Sequence, residues 1–110
     1  MDIVPETTAT ATIVPLQGQI NSANAAEAES RLLALVDGGA RNLVLDFSGL
    51  NYISSAGLRL VLVLAKRMKQ EGGRLVLCAM QPHVREVFEI SGFLAILDVQ
   101  ATRQDALARF

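Results

Sequence analysis

The stretch that most constrains this chain runs from Leu43 to Ala79. Leu43-Val44-Leu45-Asp46-Phe47 is an almost unbroken apolar run of strand length, the pattern of a strand covered on both faces. A short polar loop, Ser48 to Ser54, follows. From about Ser55 to Glu71 the residues are strong helix formers, apolar on most of the circumference between Leu58 and Leu64. Arg59, Lys66 and Gln70 fall at spacings of seven and four, which draws a polar stripe along that helix. Gly72-Gly73 ends it, and Arg74-Leu75-Val76-Leu77-Cys78-Ala79 reads as a second buried strand. Strand, helix and strand over this length make a βαβ unit, whose two strands are expected to be parallel and its crossover right-handed.

The remaining segments extend the unit on both sides. Thr7 to Leu16, rich in Thr and β-branched residues, reads as a strand, with Ile3-Val4 as a short strand before it. Pro15 removes a ladder donor and implies an edge position or the strand's irregular end. Gly18 breaks the pattern, and Asn21 or Ser22 is a credible cap for a helix over Ala23 to Val36 that Asp37-Gly38-Gly39 stops. Pro82 suits the first turn of a short helix closed by Gly92. Ile96 to Val99 follows as the last strand, and Thr102 caps a helix over Arg103 to Phe110. The expected fold is a single α/β domain over residues 1–110. Its sheet would be mixed but mostly parallel, with four to five strands and helices mainly on one face.

Several classes of function are poorly supplied. Net charge is −1, and no basic cluster exceeds Lys66-Arg67 with Lys69, so nucleic acid is not an expected partner. Cys78 is alone and lies in an apolar strand, where it behaves as a small core residue. His83 is the only histidine and stands beside Pro82 at a helix start, which reads as surface. Asp46 and Asp98, read as strand-end residues, lack the His or Cys companions of a metal site and are expected to be structural. No triad, phosphate loop, metal or cofactor motif is present, so the chain is not expected to be an enzyme. The start of the sequence lacks the pattern of a signal peptide, and the apolar run Leu60 to Ala65 is too short to span a bilayer, which makes a cytoplasmic protein the expectation.

What remains is Ser54-Ser55 at the start of the central helix. A serine there satisfies orphan backbone N–H groups, and the same position favours negative charge. Such a residue is suited to capping and to carrying a phosphate.

The wider sequence resembles the anti-sigma factor antagonist family, which consists of single STAS domains. Gly18-Gln19-Ile20-Asn21, Leu43 to Ser48 and Tyr52-Ile53-Ser54-Ser55-Ala56-Gly57-Leu58 carry the resemblance, with Gly72 to Leu77 and Val87 to Phe93 following in the same order. The resemblance implies a partner switch. The unmodified antagonist binds a serine kinase that is also an anti-sigma factor, phosphorylation ends the complex, and a PP2C-type phosphatase resets it. The family's acceptor serine lies two residues before the glycine, which here makes Ser55 the acceptor, with Ser54 as the alternative. Ser54 stands where the family usually has Asp, and Gly18-Gln19-Ile20-Asn21 stands where it has an acidic turn. The implied partner surface comprises Gly18, Gln19, Asn21, Ser22, Tyr52, Ser54, Ala56, Gly57 and Arg59, with Arg59 at its rim. Rival readings are a STAS subunit of an ABC transporter, a partner switch with a non-sigma output, and a small nucleotide- or lipid-binding module.

Overall fold

A computed structural model describes residues 2–110. Its centre is a five-stranded sheet in sequence order. The strands are β1 (Glu6–Thr7), β2 (Thr12–Ile20), β3 (Asn42–Ile53), β4 (Arg74–Cys78) and β5 (Asp98–Gln100). The helices are α1 (Ala25–Asp37), α2 (Ser55–Gln70), α3 (Pro82–Ile90) and α4 (Arg103–Leu107), with a 3-10 turn at Phe93–Ala95. β1 is antiparallel to β2, and every other pairing is parallel. The expected pairing of Leu43–Phe47 with Arg74–Ala79 is present, with Leu45 opposite Leu77.

Strand alternation sorts the core into two layers. Val14, Leu16, Leu43, Leu45, Phe47 and Leu77 face α1, α2 and α3. Phe47 and Phe88 meet edge to face, with ring centroids 5.7 Å apart, which fastens α3 to β3. Ile13, Val44, Val76 and Cys78 face the other way and are covered by Ala106, Leu107 and Phe110 from the C-terminal segment. Three crossovers in one direction along the sheet put α1, α2 and α3 on one face and leave α4 alone on the other, as the sequence order requires.

Six expectations are corrected. Ile3-Val4 forms no strand; β1 is Glu6–Thr7, and the Thr8 hydroxyl, bonded to both Ala11 N–H and Ala11 C=O, shapes the turn into β2. β2 runs through Pro15 and Gly18 to Ile20, and β3 continues to Ile53 where a loop was expected. Pro15 is tolerated because β1 pairs only with Thr12 and Ile13, which leaves the β1 side of β2 open beyond them. The last strand begins at Asp98, not Ile96, which lies exposed after the 3-10 turn; Asp46 sits within β3 and does not end it. Leu62, which the apolar run between Leu58 and Leu64 would place in the core, is only half-buried. Leu58, Val61, Leu64 and Met68 form the stripe of α2 that meets the sheet, and Leu62 falls on the outward stripe.

The two strand-region aspartates have structural partners. Asp46 accepts from Ser48 N–H at 2.9 Å and from Arg103 Nη2 at 2.7 Å, so α4 is tied to the middle of the sheet. Arg103 also reaches Glu6 of β1. Burial alone would raise the Asp46 carboxyl, but the Ser48 N–H and the Arg103 guanidinium outweigh it and hold it below the usual range. Asp98 accepts from Arg109 and Gln100. Burial pushes the neighbouring Cys78 thiol up to about 11, assisted by the Asp46 charge, which leaves it unreactive.

Candidate functional site

The site is built where β2 and β3 outrun the other strands. Gln17 to Ile20 pairs with Gly49 to Ile53, with register shifts after Pro15 and after Gly18. Gly18 has φ +75°, a conformation that favours glycine and suits a bulge. The bulges break the side-chain alternation, which is why this ribbon reads as loop in the sequence.

The ribbon then seeds two helix starts. Asn21 Oδ1 accepts from the backbone N–H groups of Ala23 and Asn24, and Asn24 returns the contact through Oδ1 to Asn21 N–H and through Nδ2 to Gln19 C=O. Asn21 therefore orders the turn that opens α1, as a cap would, although the regular helix starts later at Ala25. On the other strand, Ser54 N–H donates to Ile20 C=O at 2.8 Å. Its hydroxyl oxygen accepts from Gly57 N–H at 3.3 Å and caps α2.

Gly57 lets the helix sit down on the ribbon. A β-carbon there would lie 2.6 Å from Ile53 Cγ1 and 2.9 Å from Ile20 Cγ2. Gly57 is buried, and its part in the surface is this close approach. α3 braces the ribbon from the β4 side: Gln81 Nε2 donates to Ser48 C=O, and the His83 ring bonds Asn51 C=O.

Gln19, Ser22, Tyr52, Ser55 and Arg59 are exposed around this end, with Gly18 among them; Asn21, Ser54 and Ala56 are partly covered. The residues singled out in the sequence thus come together at the carboxyl ends of the long strands, where ligands of open α/β sheets are usually bound. Ser55, Arg59, Leu62 and Lys66 follow each other at spacings of four, three and four along the outward stripe of α2. The Ser55 hydroxyl makes no hydrogen bond to any described residue. A shallow groove of about 240 Å³ lies beside them, lined by Ser22, Ala25, Ala26, Glu29, Ala56, Arg59 and Leu60. Glu29 and the small pair Ala25-Ala26 were missed in the sequence. Their signal was alanine in the first turn of a helix that packs beside α2. Gln81 and His83 were also missed as braces, although Pro82 at a helix start marks the same end of the sheet.

Comparison with known proteins identifies the frame. The STAS domain family model matches residues 2–106. The chain belongs to the STAS family. BtrV of Bordetella bronchiseptica, provisionally named an anti-sigma factor antagonist, is 58% identical over 98 residues, which cover 89% of this chain and 84% of that protein. The structure of an anti-sigma factor antagonist from Mycobacterium paratuberculosis superposes with a TM-score of 0.89 at 23% identity, covering 98% of this chain and 92% of that one. The anti-sigma factor antagonist SpoIIAA in its unphosphorylated form gives a TM-score of 0.81 at 24% identity, with 98% and 95% covered. With a relative this similar over this much of its length, the resemblance to the anti-sigma factor antagonist branch of STAS proteins is established. Among the described residues, no helix is long and apolar enough to cross a membrane.

Proposed function

We propose that this STAS domain is a non-enzymatic anti-sigma factor antagonist of the cytoplasm that works as a partner switch. Unmodified, it binds a serine kinase that is also an anti-sigma factor and so releases that kinase's target. The kinase phosphorylates Ser55, binding ends, and a PP2C-type phosphatase restores the hydroxyl. The contact surface is the end of the sheet formed by Gly18, Gln19, Asn21, Ser22, Tyr52, Ser54, Ala56, Gly57 and Arg59.

The observation that carries this reading is the different employment of the two serines. Ser54 spends its hydroxyl oxygen on Gly57 N–H, whereas Ser55 is exposed at the first turn of α2 with its hydroxyl free. A kinase needs an accessible hydroxyl, and Ser55 supplies one without disturbing a cap. The similarity to BtrV over most of both chains supports the partner class.

The switch follows from charge. Phosphate adds about −1.5 to −2 charge and three acceptor oxygens to a surface fitted to a hydroxyl. Burying that charge unpaired in an interface costs several kcal/mol, enough to end binding without a change of fold.

The test is site-resolved mass spectrometry after incubation with the candidate kinase and ATP. One phosphate on Ser55 is expected, with Ser55→Ala blocking the reaction while still binding the kinase. Phosphate on Ser54 would overturn the assignment, and no phosphate on either serine would overturn the switch.

A further inference from the structure

Arg59 stands one helical turn beyond Ser55, at i+4 on the outward stripe of α2. Side chains at that spacing share a face, and an anion N-terminal to a cation is the favourable order. Arg67, Arg103 and Arg109 are committed to carboxylates, but Arg59 makes no ion pair or hydrogen bond to any described residue. The first turn of α2 carries no acidic residue that would claim it.

We propose that Arg59 is the internal counter-ion of a phosphate on Ser55, held in reserve while the serine is unmodified. The proposal rests on Ser55 being the acceptor. In the transfer, Ser55 Oγ forms a bond to the γ-phosphorus of ATP, the bond from that phosphorus to the bridging oxygen breaks, ADP leaves, and the hydroxyl proton passes to a kinase base or to water. The new dianion lies one turn from a guanidinium able to hold two of its oxygens at once. Modification then changes two features of the contact surface. It adds a phosphate, and it withdraws the cation of Arg59 from any partner carboxylate it met before.

The charged and titratable groups around the pair are few. Glu29 of α1 lines the same groove as Arg59 and competes for it, although no ion pair joins them in the unmodified chain. Glu27, in the first turn of α1, is held by Arg31, and Tyr52 of β3 and His83 of α3 are further titratable groups at this end. None of these residues is placed at the i+4 spacing from Ser55.

The experiment uses the full chain with phosphoserine genetically encoded at position 55, so that no kinase is needed. The phosphorus resonance is followed against pH in the Arg59 protein, in Arg59→Gln and in Arg59→Lys. A cation that pairs with the dianion lowers its second ionisation. The midpoint is therefore expected to rise by roughly 0.2–0.7 pH unit in Arg59→Gln, with Arg59→Lys between the two. The difference should persist in a His83→Gln background and shrink at high salt. Equal midpoints for Arg59 and Arg59→Gln, or a difference that disappears with His83, overturn the proposal. Failure of a kinase to modify the unmodified chain would bear on Ser55 as the acceptor and leave this titration intact.

Discussion

Replacing Gly57 by alanine tests whether the start of α2 is seated as tightly as its geometry demands. Two effects oppose each other. Alanine is the better helix former by about 1 kcal/mol in a helix interior, and somewhat less in a first turn. Against this, the new methyl carbon would lie 2.6 Å from Ile53 Cγ1 and 2.9 Å from Ile20 Cγ2. Neither atom is the loose end of a side chain, and both residues are buried, so strands or helix must shift. Overpacking of this kind costs about 1–3 kcal/mol. The net expectation is a loss of roughly 1–2 kcal/mol, or about 4–12 °C in melting temperature for a domain of this size. Urea unfolding measures it, provided the m-value is unchanged. A double-mutant cycle adds the decisive comparison. Gly57→Ala should cost less in an Ile53→Ala background, because the nearest obstacle is gone. An alanine variant as stable as the parent, or an equal cost in both backgrounds, would refute the close packing of α2 on the β2–β3 ribbon.

Ser54→Ala removes the cap of α2 and should cost about 0.5–2 kcal/mol, whereas Ser55→Ala should leave the urea midpoint nearly unchanged; equal losses would contradict the division between the two serines. Arg103→Met leaves Asp46 buried with only the Ser48 N–H for company and should cost on the order of 2–3 kcal/mol by urea unfolding at pH 7. Because the folded Asp46 carboxyl is held below its unfolded value of 3.8, its contribution is full above that value and is lost as pH falls through the lower folded one. The gap between the parent and Arg103→Met should therefore narrow in acid, and a gap that widens would refute the sign. Ala79 has φ +59°, so Ala79→Gly should gain about 0.5–1 kcal/mol, and a loss in the melting curve would mean the strain is not there.

The sequence made the βαβ unit legible because its strands are buried on both faces and its stops are paired glycines. Leu43–Phe47 and Val76–Cys78 have no solvent side to interrupt the apolar run, and Gly72-Gly73 separates helix from strand without ambiguity. The ends of β2 and β3 were illegible for the opposite reason. Each bulge between Pro15 and Gln19 shifts the alternation by a residue, so a real strand loses its period and looks like a polar turn. Leu62 was misplaced because composition around a helix does not choose between its apolar stripes; only the sheet-facing positions Gly57, Val61, Leu64 and Met68 do. In the site, Ser55 and Arg59 were visible as residue types at a helix start. The groove beside them was not, since it depends on how α1 and α2 lie together.

The neutral residues of this site explain how its frame survives without its charges. By the resemblance drawn from the sequence, Ser54 takes a position usually held by Asp, and Asn21 a position in a turn that is usually acidic. Both replacements preserve the hydrogen-bond acceptor that the backbone needs. Ser54 Oγ takes Gly57 N–H as a carboxylate would, and Asn21 Oδ1 takes the N–H groups of Ala23 and Asn24. The hydrogen bonds that fix the two helix starts are thus indifferent to the loss of charge. The electrostatics are not. With no carboxylate at position 54 and none in the first turn of α2, an anion on Ser55 would meet free backbone N–H groups and Arg59, with Glu29 of α1 as the carboxylate lining the same groove. In the proposed switch, a residue committed to geometry sits directly beside the one that would change its charge, and a phosphate on Ser55 would leave the Ser54 cap of α2 in place.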